Sequence, residues 1–248
     1  MKQPVFLLAV LILGLTLSVS AAQGEMTYIV HGIPGQDLGL GLAPELPVDV
    51  SVGGSCALED FKFGDVVGPV PVNDPALDVQ IYLADDDGAP GCDGTLVLDL
   101  PGVPFGGGAS TIVAHLTADG AAGAGDVLGI GITGSKFDLD LQRNGRGKGR
   151  LVAHHTAKAP TVDVDIWRGQ RIRRVIEVED FMPGDQAQAD LRPGNWRTRL
   201  RVADTTDVAF GPTKVRIKPY QATVVFAVGT ALTDSFDLIG FRTPTAFR

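Results

Sequence analysis

The sequence predicts an all-β protein that consists of two tandem antiparallel β-sandwiches. Three observations support this: short segments of alternating apolar and polar residues, turn-forming residues between them, and an arrangement that occurs twice. Residues 48–52 and 162–166 alternate strictly, which is typical of half-buried strands. The chain contains 32 glycines and 16 prolines, and no segment after the amino-terminal region shows extended helical spacing. A sandwich is therefore favoured over an α/β fold.

Residues 1–22 are predicted to be a signal peptide. Lys2 supplies a basic start, an apolar run extends from Val5 to Leu17, and small residues lead to Ala22, as in secretory signals. The run is shorter than the roughly 20 residues that a membrane helix needs, so a cleaved signal is favoured over a retained anchor. No later segment has the length and hydropathy of a transmembrane helix. We expect the mature protein to be secreted, or to lie in the periplasm or cell envelope.

A repeated pattern divides the mature chain. Residues 28–31 and 151–155 each form an apolar segment that ends in histidine, and each is followed by a proline-containing loop and a Val-Asp-Val segment. We therefore predict domain 1 at residues 23–136, a linker at 137–148, domain 2 at 149–241 and a tail at 242–248. The basic residues that begin in the linker could bind a polyanion, but a solvated hinge is the favoured interpretation; they are Arg143, Arg146, Lys148 and Arg150.

Candidate strands follow the alternating segments. In domain 1 they lie at residues 28–30, 48–52, 61–63, 79–83, 96–100, 111–116 and 128–132, separated by turns such as Gly53-Gly54 and residues 69–75. In domain 2 they lie at residues 162–166, 175–178, 196–202, 215–217 and 223–228. Segment 196–202 is the clearest, because Trp196, Thr198, Leu200 and Val202 share one face while Arg197, Arg199 and Arg201 share the other.

Charge and cysteine usage also differ between the two domains. The chain has a net charge of −8, yet every arginine lies in its second half, and Lys62 is the only basic residue between residues 23 and 135. An acidic domain is therefore joined to a basic one. Both cysteines, Cys56 and Cys92, lie in domain 1. Export permits a disulfide between them, and two cysteines are too few for a zinc knuckle.

Several segments resemble the tandem proteins of the bacterial family called domain of unknown function 4397. The resemblance covers most of the mature chain and rests on residues 31–35, 47–50, 60–65, 109–116, 149–152 with His155, 159–164, 192–196 and 223–229. It implies an exported immunoglobulin-like sandwich in the cell envelope or outside the cell. It supplies no catalytic residues, because the family has no established activity. The insertion at residues 85–94 and the arginine-rich second domain depart from the family pattern.

The four histidines are the candidates for acid–base or metal chemistry, and they are His31, His115, His154 and His155. No pair has the i, i+4 spacing of a helical metal site, and no acidic triad accompanies them. The favoured interpretation is structural: His31 and its counterpart His155 donate hydrogen bonds to a nearby carbonyl, or to Asp49 and Asp163 respectively. His154 should point to the face opposite His155.

Neither a metal site nor a cofactor is expected. Asp85, Asp86 and Asp87 resemble a calcium loop only weakly, because the alternating acids and the final glutamate of an EF-hand are missing. The sequence has no nucleophile elbow of the Gly-x-Ser-x-Gly type.

Arginines in domain 2 form the candidate binding surface, which consists of Arg171, Arg173, Arg174, Arg197, Arg199 and Arg201. These side chains could dock an anionic partner, such as domain 1 of the same or a neighbouring molecule, another protein, or an envelope polysaccharide. The alternative is edge-strand protection, in which charged residues on an exposed strand face prevent sheet-to-sheet association. Few aromatic residues lie among the arginines, so specific nucleic-acid binding is not expected.

The leading hypothesis is an exported, non-catalytic binding or structural module that docks anionic partners through domain 2. A first alternative is a hydrolase or metal-dependent enzyme that uses His31 and His115. A second is a surface protein that assembles by pairing acidic and basic domains.

Overall fold

The computed structural model describes residues 26–38, 42–71, 76–84, 91–104, 108–117, 129–141, 147–169, 175–231 and 235–247. The first half contains strands β1 (Met26–His31), β2 (Val48–Val52), β3 (Ser55–Phe61), β4 (Val66–Pro71), β5 (Ala76–Leu83), β6 (Thr95–Pro104), β7 (Ala109–Leu116), β8 (Ile130–Phe137) and β9 (Asp140–Leu141). A short 3-10 helix covers Gly35–Leu38. The second half contains β10 (Gly149–His155), β11 (Val162–Arg168), β12 (Val175–Phe181), β13 (Gln186–Leu191), β14 (Gly194–Val202), β15 (Val208–Ile217), β16 (Gln221–Val228), β17 (Asp237–Pro244) and β18 (Ala246–Phe247).

These strands form two β-sandwiches, which confirms the predicted all-β fold. Sandwich 1 consists of sheet A, with the order β4-β1-β7-β8, and sheet B, with the order β3-β2-β5-β6. Sandwich 2 consists of sheet C, with the order β13-β10-β16-β17, and sheet D, with the order β12-β11-β14-β15. Each sandwich has one parallel pair, β1 with β7 and β10 with β16, and its other pairs are antiparallel.

Local contacts repeat between the two sandwiches near the ends of β3 and β12. The Asp49 carboxylate accepts a hydrogen bond from the backbone N–H of Asp60 at 3.0 Å, and the Asp163 carboxylate accepts one from Asp180 at 3.2 Å. Asp60 and Asp180 both have a φ of 51°, a conformation that aspartate tolerates better than most side chains. The buried carboxylate thus satisfies the N–H of a residue in a left-handed conformation at the same place in each sandwich.

Each sandwich has an apolar core between its own two sheets. In sandwich 1 this core includes Ile33, Val50, Phe61 and Ile112. In sandwich 2 it includes Leu151, Val164, Phe181 and Leu200. The alternation that predicted strands 48–52 and 162–166 therefore does place every second side chain in a core.

A third apolar cluster lies between the two sandwiches. It joins residues of sheet A with residues of sheet C, and its buried members are Tyr28, Val30, Ala109, Val113, Phe137, Val152, Val224, Phe226 and Val228. The rings of Tyr28 and Phe241 stack with their centroids 3.9 Å apart, and the hydroxyl of Ser235 donates to Asp37 across the same boundary. The four sheets therefore stack in the order B, A, C, D, and the two inner sheets are covered on both faces.

The segment between the sandwiches is held by an ion-paired arginine. Arg150 is buried; its Nε lies 2.7 Å from Asp190 Oδ1, and its Nη1 lies 2.7 Å from the Asp138 carbonyl oxygen and 3.1 Å from its carboxylate. Leu141 is also buried, and β9 pairs with β18 near the carboxyl terminus. Leu141 and Arg150 are therefore not solvated as predicted, whereas the Asp138 side chain is exposed and residues 142–146 lie outside the described part of the chain.

Several strand boundaries differ from the sequence-based predictions. The predicted strand at 61–63 is in fact the end of β3 and the start of a turn, and β4 occupies residues that include Pro69 and Pro71. Proline is tolerated there because β4 is an edge strand, whose outward N–H groups need no partner. At the other end, β17 pairs with β16 as far as Pro244, three residues beyond the predicted end of domain 2.

The predicted disulfide is present. Cys56 and Cys92 are bonded, with their Cα atoms 5.4 Å apart, and neither of them is a free thiol. The bond joins the start of β3 to the segment that precedes β6. Among the described residues, no helix has the length and hydropathy to cross a bilayer. The predicted signal peptide lies outside the described residues.

Candidate binding surface

The outer face of sheet D carries the charged residues that the sequence singled out. On β11, Val162, Val164 and Ile166 enter the core of sandwich 2, so Asp163 and Asp165 face outward. On β14, Leu200 enters the same core, and the arginines on either side of it face outward. The strand alternation thus places the carboxylates of β11 beside the guanidinium groups of β14.

The register of β11 and β14 places each of these aspartates opposite an arginine. Asp163 lies opposite Arg201, Asp165 opposite Arg199, and Trp167 opposite Arg197. The Nε atoms of Arg199 and Arg201 lie 2.6 Å and 3.1 Å from Asp165 Oδ2, and Arg201 Nη2 lies 3.4 Å from Asp163 Oδ2. Cross-strand pairs of opposite charge are among the contacts that stabilise a sheet face.

Two further groups complete this network. Arg201 also contacts Glu177 on β12, which is opposite Asp165 in the register. The guanidinium carbon of Arg199 lies 5.8 Å from the centroid of the Trp167 ring, within the range of a cation–π contact. We refer to Asp163, Asp165, Glu177, Arg199 and Arg201 as the charge ladder.

Asp165 is the centre of the charge ladder. Its residue exposure is only 3 %. Burial by itself would raise the pKa of Asp165, but the hydrogen bonds and charges of Arg199 and Arg201 outweigh that effect and lower its pKa. The Asp165 carboxylate is therefore ionised at neutral pH and satisfies both arginines.

This geometry corrects one of the two sequence-based interpretations of the arginines. Strand β14 lies between β11 and β15 and is not an edge strand, so protection of a sheet edge does not explain its charges. Arg199 and Arg201 instead neutralise buried carboxylates of their own domain. Of the other candidates, Arg171, Arg173 and Arg174, and with them the weak calcium candidates Asp85, Asp86 and Asp87, lie outside the described residues.

We expect the Asp165→Asn variant to lose about 2 kcal/mol of stability, because two guanidinium groups would lose their charge-assisted hydrogen bonds. The measurement is the free energy of unfolding in urea at pH 7. Asp207→Asn is the control, since Asp207 is exposed and makes no ion pair with another described residue. An Asp165→Asn protein as stable as the control would show that the charge ladder does not stabilise sheet D.

An open groove lies beside the charge ladder, along one side of sandwich 2. It runs between β15 and β17, the neighbouring edges of sheets D and C, and has a volume of about 260 Å³. Lys214, Arg216 and Arg242 are among its lining residues. The sequence analysis did not select these three cations, because they lie on two strands and only the fold brings them together.

His31 is sealed in the core of sandwich 1. Its Nδ1 accepts a hydrogen bond from the backbone N–H of Ile33 at 3.2 Å, so the ring proton is on Nε2, which donates to the Leu46 carbonyl at 3.0 Å. Burial lowers the pKa of His31 to about 4, despite the opposing effects of the Leu46 carbonyl and Asp65. Both ring nitrogens are occupied, and the partner of Nε2 is a carbonyl, one of the two predicted partners, rather than Asp49.

His155 occupies the equivalent position in sandwich 2. Its Nε2 lies 3.3 Å from the Pro160 carbonyl, and its ring centroid lies 5.7 Å from that of Phe181. Burial lowers its pKa. Asp163, the other predicted partner, instead binds the N–H of Asp180 and the guanidinium of Arg201.

His154 points to the opposite face, as predicted. Its ring stacks on Phe226 between the two sandwiches, with the centroids 4.7 Å apart. Burial lowers the pKa of His154 to about 4. Its Nε2 is buried and has no hydrogen-bond partner among the described residues.

The structure does not bring His31 and His115 together. His31 enters the core of sandwich 1 on the same side of sheet A as Ala114, its partner in the register. His115 follows Ala114 and therefore points to the other side, where its Nε2 lies 2.8 Å from Thr133 Oγ1. Among the described residues, no three His, Cys, Asp or Glu side chains are grouped so that they could hold a metal ion.

No known protein family and no curated protein matches the sequence. One similar solved structure is that of a protein provisionally assigned to cell adhesion, from Bacteroides ovatus ATCC 8483. It is 9 % identical, the alignment covers 91 % of this chain and 99 % of that one, and the TM-score is 0.30. A superposition this loose is not evidence of a shared function.

Proposed function

We propose that this chain is an exported, non-catalytic binding module of the cell envelope or extracellular space, and that its second domain docks an anionic partner. We also propose that it belongs to the family called domain of unknown function 4397. The disulfide supports an oxidising compartment. The sealed positions of His31, His154 and His155 support a structural rather than a catalytic role for these histidines.

The observation that carries the proposal is where the charges lie relative to the apolar interface. Residues 23–136 contain 16 acidic and two basic residues, whereas residues 149–241 contain 11 acidic and 13 basic residues. An attraction between acidic and basic surfaces could have closed the two domains upon each other, but they meet through the apolar cluster of sheets A and C. The charged outer face and edges of sandwich 2 therefore remain available to a partner.

A binding experiment with the mature protein tests this proposal. Acidic and neutral polysaccharides are immobilised, and retention of the protein is measured between 50 and 500 mM salt. We expect retention on the acidic polymers only, and weaker retention as salt screens the charges. Equal retention on neutral and acidic polymers, or cleavage of any of them, would contradict the proposal.

The uneven charge distribution also favours a second candidate, a surface protein that assembles by pairing the acidic domain of one copy with the basic domain of the next. Sedimentation of the same samples separates the two functions. Assembly predicts larger particles at low salt than at high salt. A monomer at every salt concentration would exclude assembly and leave the proposed docking function intact.

A further inference from the structure

We propose that the groove between β15 and β17 is the anion-binding site of sandwich 2, and that its ligand is an acidic polysaccharide. This inference deepens the proposed function, on which it rests, by naming the site and the chemical class of the ligand. It assigns binding to Lys214, Arg216 and Arg242 in place of the arginines of β14. The arginines of the charge ladder and the groove cations differ in whether carboxylates of the protein neutralise them.

The charge ladder is a poor place to bind an anion. Arg199 and Arg201 face three carboxylates, those of Asp163, Asp165 and Glu177. An incoming anion would have to displace these groups or lie beside them. Because Asp163 and Asp165 are buried, loss of their partners would leave uncompensated charges inside the protein.

The groove cations have no such partners in the part of the chain that the structure describes. Lys214, Arg216 and Arg242 are exposed, and their side chains make no hydrogen bond or ion pair with another described residue. Lys214 is opposite Arg197 in the register and Arg216 is opposite Asn195, so no carboxylate faces them across the β14–β15 pair. Their charge is therefore available to a ligand.

The open side of the sandwich brings these cations to one groove. Arg242 is opposite Thr223 in the register, and Thr223 lies on the same side of sheet C as Val225, which packs on the core of sandwich 2. Arg242 thus projects into the gap between the sheets. Lys214 and Arg216 alternate on β15 with Val215 and Ile217 of the core, so their side chains lie at the outer rim of the groove. Gly240 also lines the groove, and a Cβ there would be 2.2 Å from the Val224 carbonyl oxygen, so a side chain cannot fill the gap at this position.

Sandwich 1 shows that the fold does not require these charges. In the register, Val103 is opposite Leu77, and Val215 is opposite Trp196 at the equivalent place in sandwich 2. Gly102 is therefore the counterpart of Lys214, and Pro104 is the counterpart of Arg216. Lys136 is the counterpart of Arg242, because each is paired with the matching residue of the preceding strand. Sandwich 1 therefore has one cation where sandwich 2 has three, and the extra two charges are specific to sandwich 2.

The groove suits a polysaccharide better than other polyanions. A peptide that added a strand to β15 would need a regular edge, but β15 contains Pro212, which has no N–H, and its pairing with β14 is interrupted twice. Phe241 is the only aromatic residue among the lining residues, which disfavours the stacking of nucleic-acid bases. Cations along an open groove, together with the half-buried Thr213, match the carboxylates and hydroxyls of an acidic glycan.

The test uses the mature full-length protein and a triple variant, Lys214→Gln, Arg216→Gln and Arg242→Gln. The matched control removes three exposed or half-exposed cations elsewhere, with Lys62→Gln, Lys136→Gln and Lys158→Gln. The probes are polygalacturonate, dextran sulfate, neutral dextran and polyglutamate. Circular dichroism and urea unfolding establish that both variants are folded.

We expect the groove variant to bind polygalacturonate at least about tenfold more weakly than the control, because each exposed charge pair contributes roughly two- to threefold. The slope of log Kd against log salt should fall by about two to three. Wild-type affinity in the folded groove variant would overturn the groove assignment, and the proposed function would stand if both proteins still bound acidic polymers. Binding of polyglutamate alone would overturn the polysaccharide class, and no binding of any polyanion by the wild type would remove the proposed function itself.

Discussion

Replacing Phe226 by alanine should lower the free energy of unfolding by about 3–5 kcal/mol, the cost typical of deleting a buried aromatic ring. Phe226 has no exposed surface and lies in the apolar cluster between sheets A and C. Its ring stacks on His154 and lies 6.3 Å from the ring of Phe241. The cavity left by the ring would be lined by residues of both sandwiches, so we expect both sandwiches to lose stability.

Urea unfolding at pH 7 measures this loss. The control is Leu96→Ala, because Leu96 is an apolar residue that is 46 % exposed, and we expect its effect to be within about 0.5 kcal/mol. A loss below 1 kcal/mol for Phe226→Ala would mean that the two sandwiches do not pack against each other in solution.

Acidification from pH 7 to pH 4 should destabilise the protein by about 3 kcal/mol for each of His31 and His154. Burial lowers the pKa of both to about 4, whereas the unfolded chain takes up the proton near pH 6.5. Stability is therefore complete above pH 6.5 and is lost as the pH falls toward 4, because the unfolded state is protonated first. His115 and His155 have lowered pKa values as well and act in the same direction.

The His154→Phe variant isolates one part of this effect. A phenyl ring can keep the stacking on Phe226, and the buried Nε2 without a partner is removed. We therefore expect the variant to be at least as stable as the wild type at pH 4, and its stability to fall by about 3 kcal/mol less between pH 7 and pH 4. Urea unfolding at pH 7, 5.5 and 4 provides the measurement. An unchanged pH dependence would show that His154 is accessible to protons in the folded state.

Local patterns were sufficient to predict much of this fold. Alternation identified β2, β5, β11 and β14, because one face of each enters a core. Strands β3 and β4 were not identified as such, because β3 is largely exposed and β4 contains two prolines. Neither strand has the apolar pattern by which a half-buried strand is recognised.

The partners of the arginines could not be predicted from one strand at a time. Asp163 and Asp165 alternate on β11 as Arg199 and Arg201 do on β14, but only the register shows that these two sets face each other. The interface between the sandwiches was missed for a related reason. An apolar segment such as 222–228 is compatible with a strand buried on both faces, and nothing local shows that the second cover is another sandwich.

Because of the apolar seam between sheets A and C, the two sandwiches are not independently folding domains joined only by a linker. A fragment that contained only one sandwich would expose an apolar surface, formed by residues such as Tyr28 and Phe137 in sandwich 1 or Val224 and Phe226 in sandwich 2. Exposed apolar surfaces of this kind cause proteins to aggregate. Evolution is likewise constrained, because a bulkier side chain on one side of the seam requires a smaller one on the other. The two halves, which have the same sheet topology, therefore form one unit, and we expect them to be transferable between genes or open to redesign only as a whole.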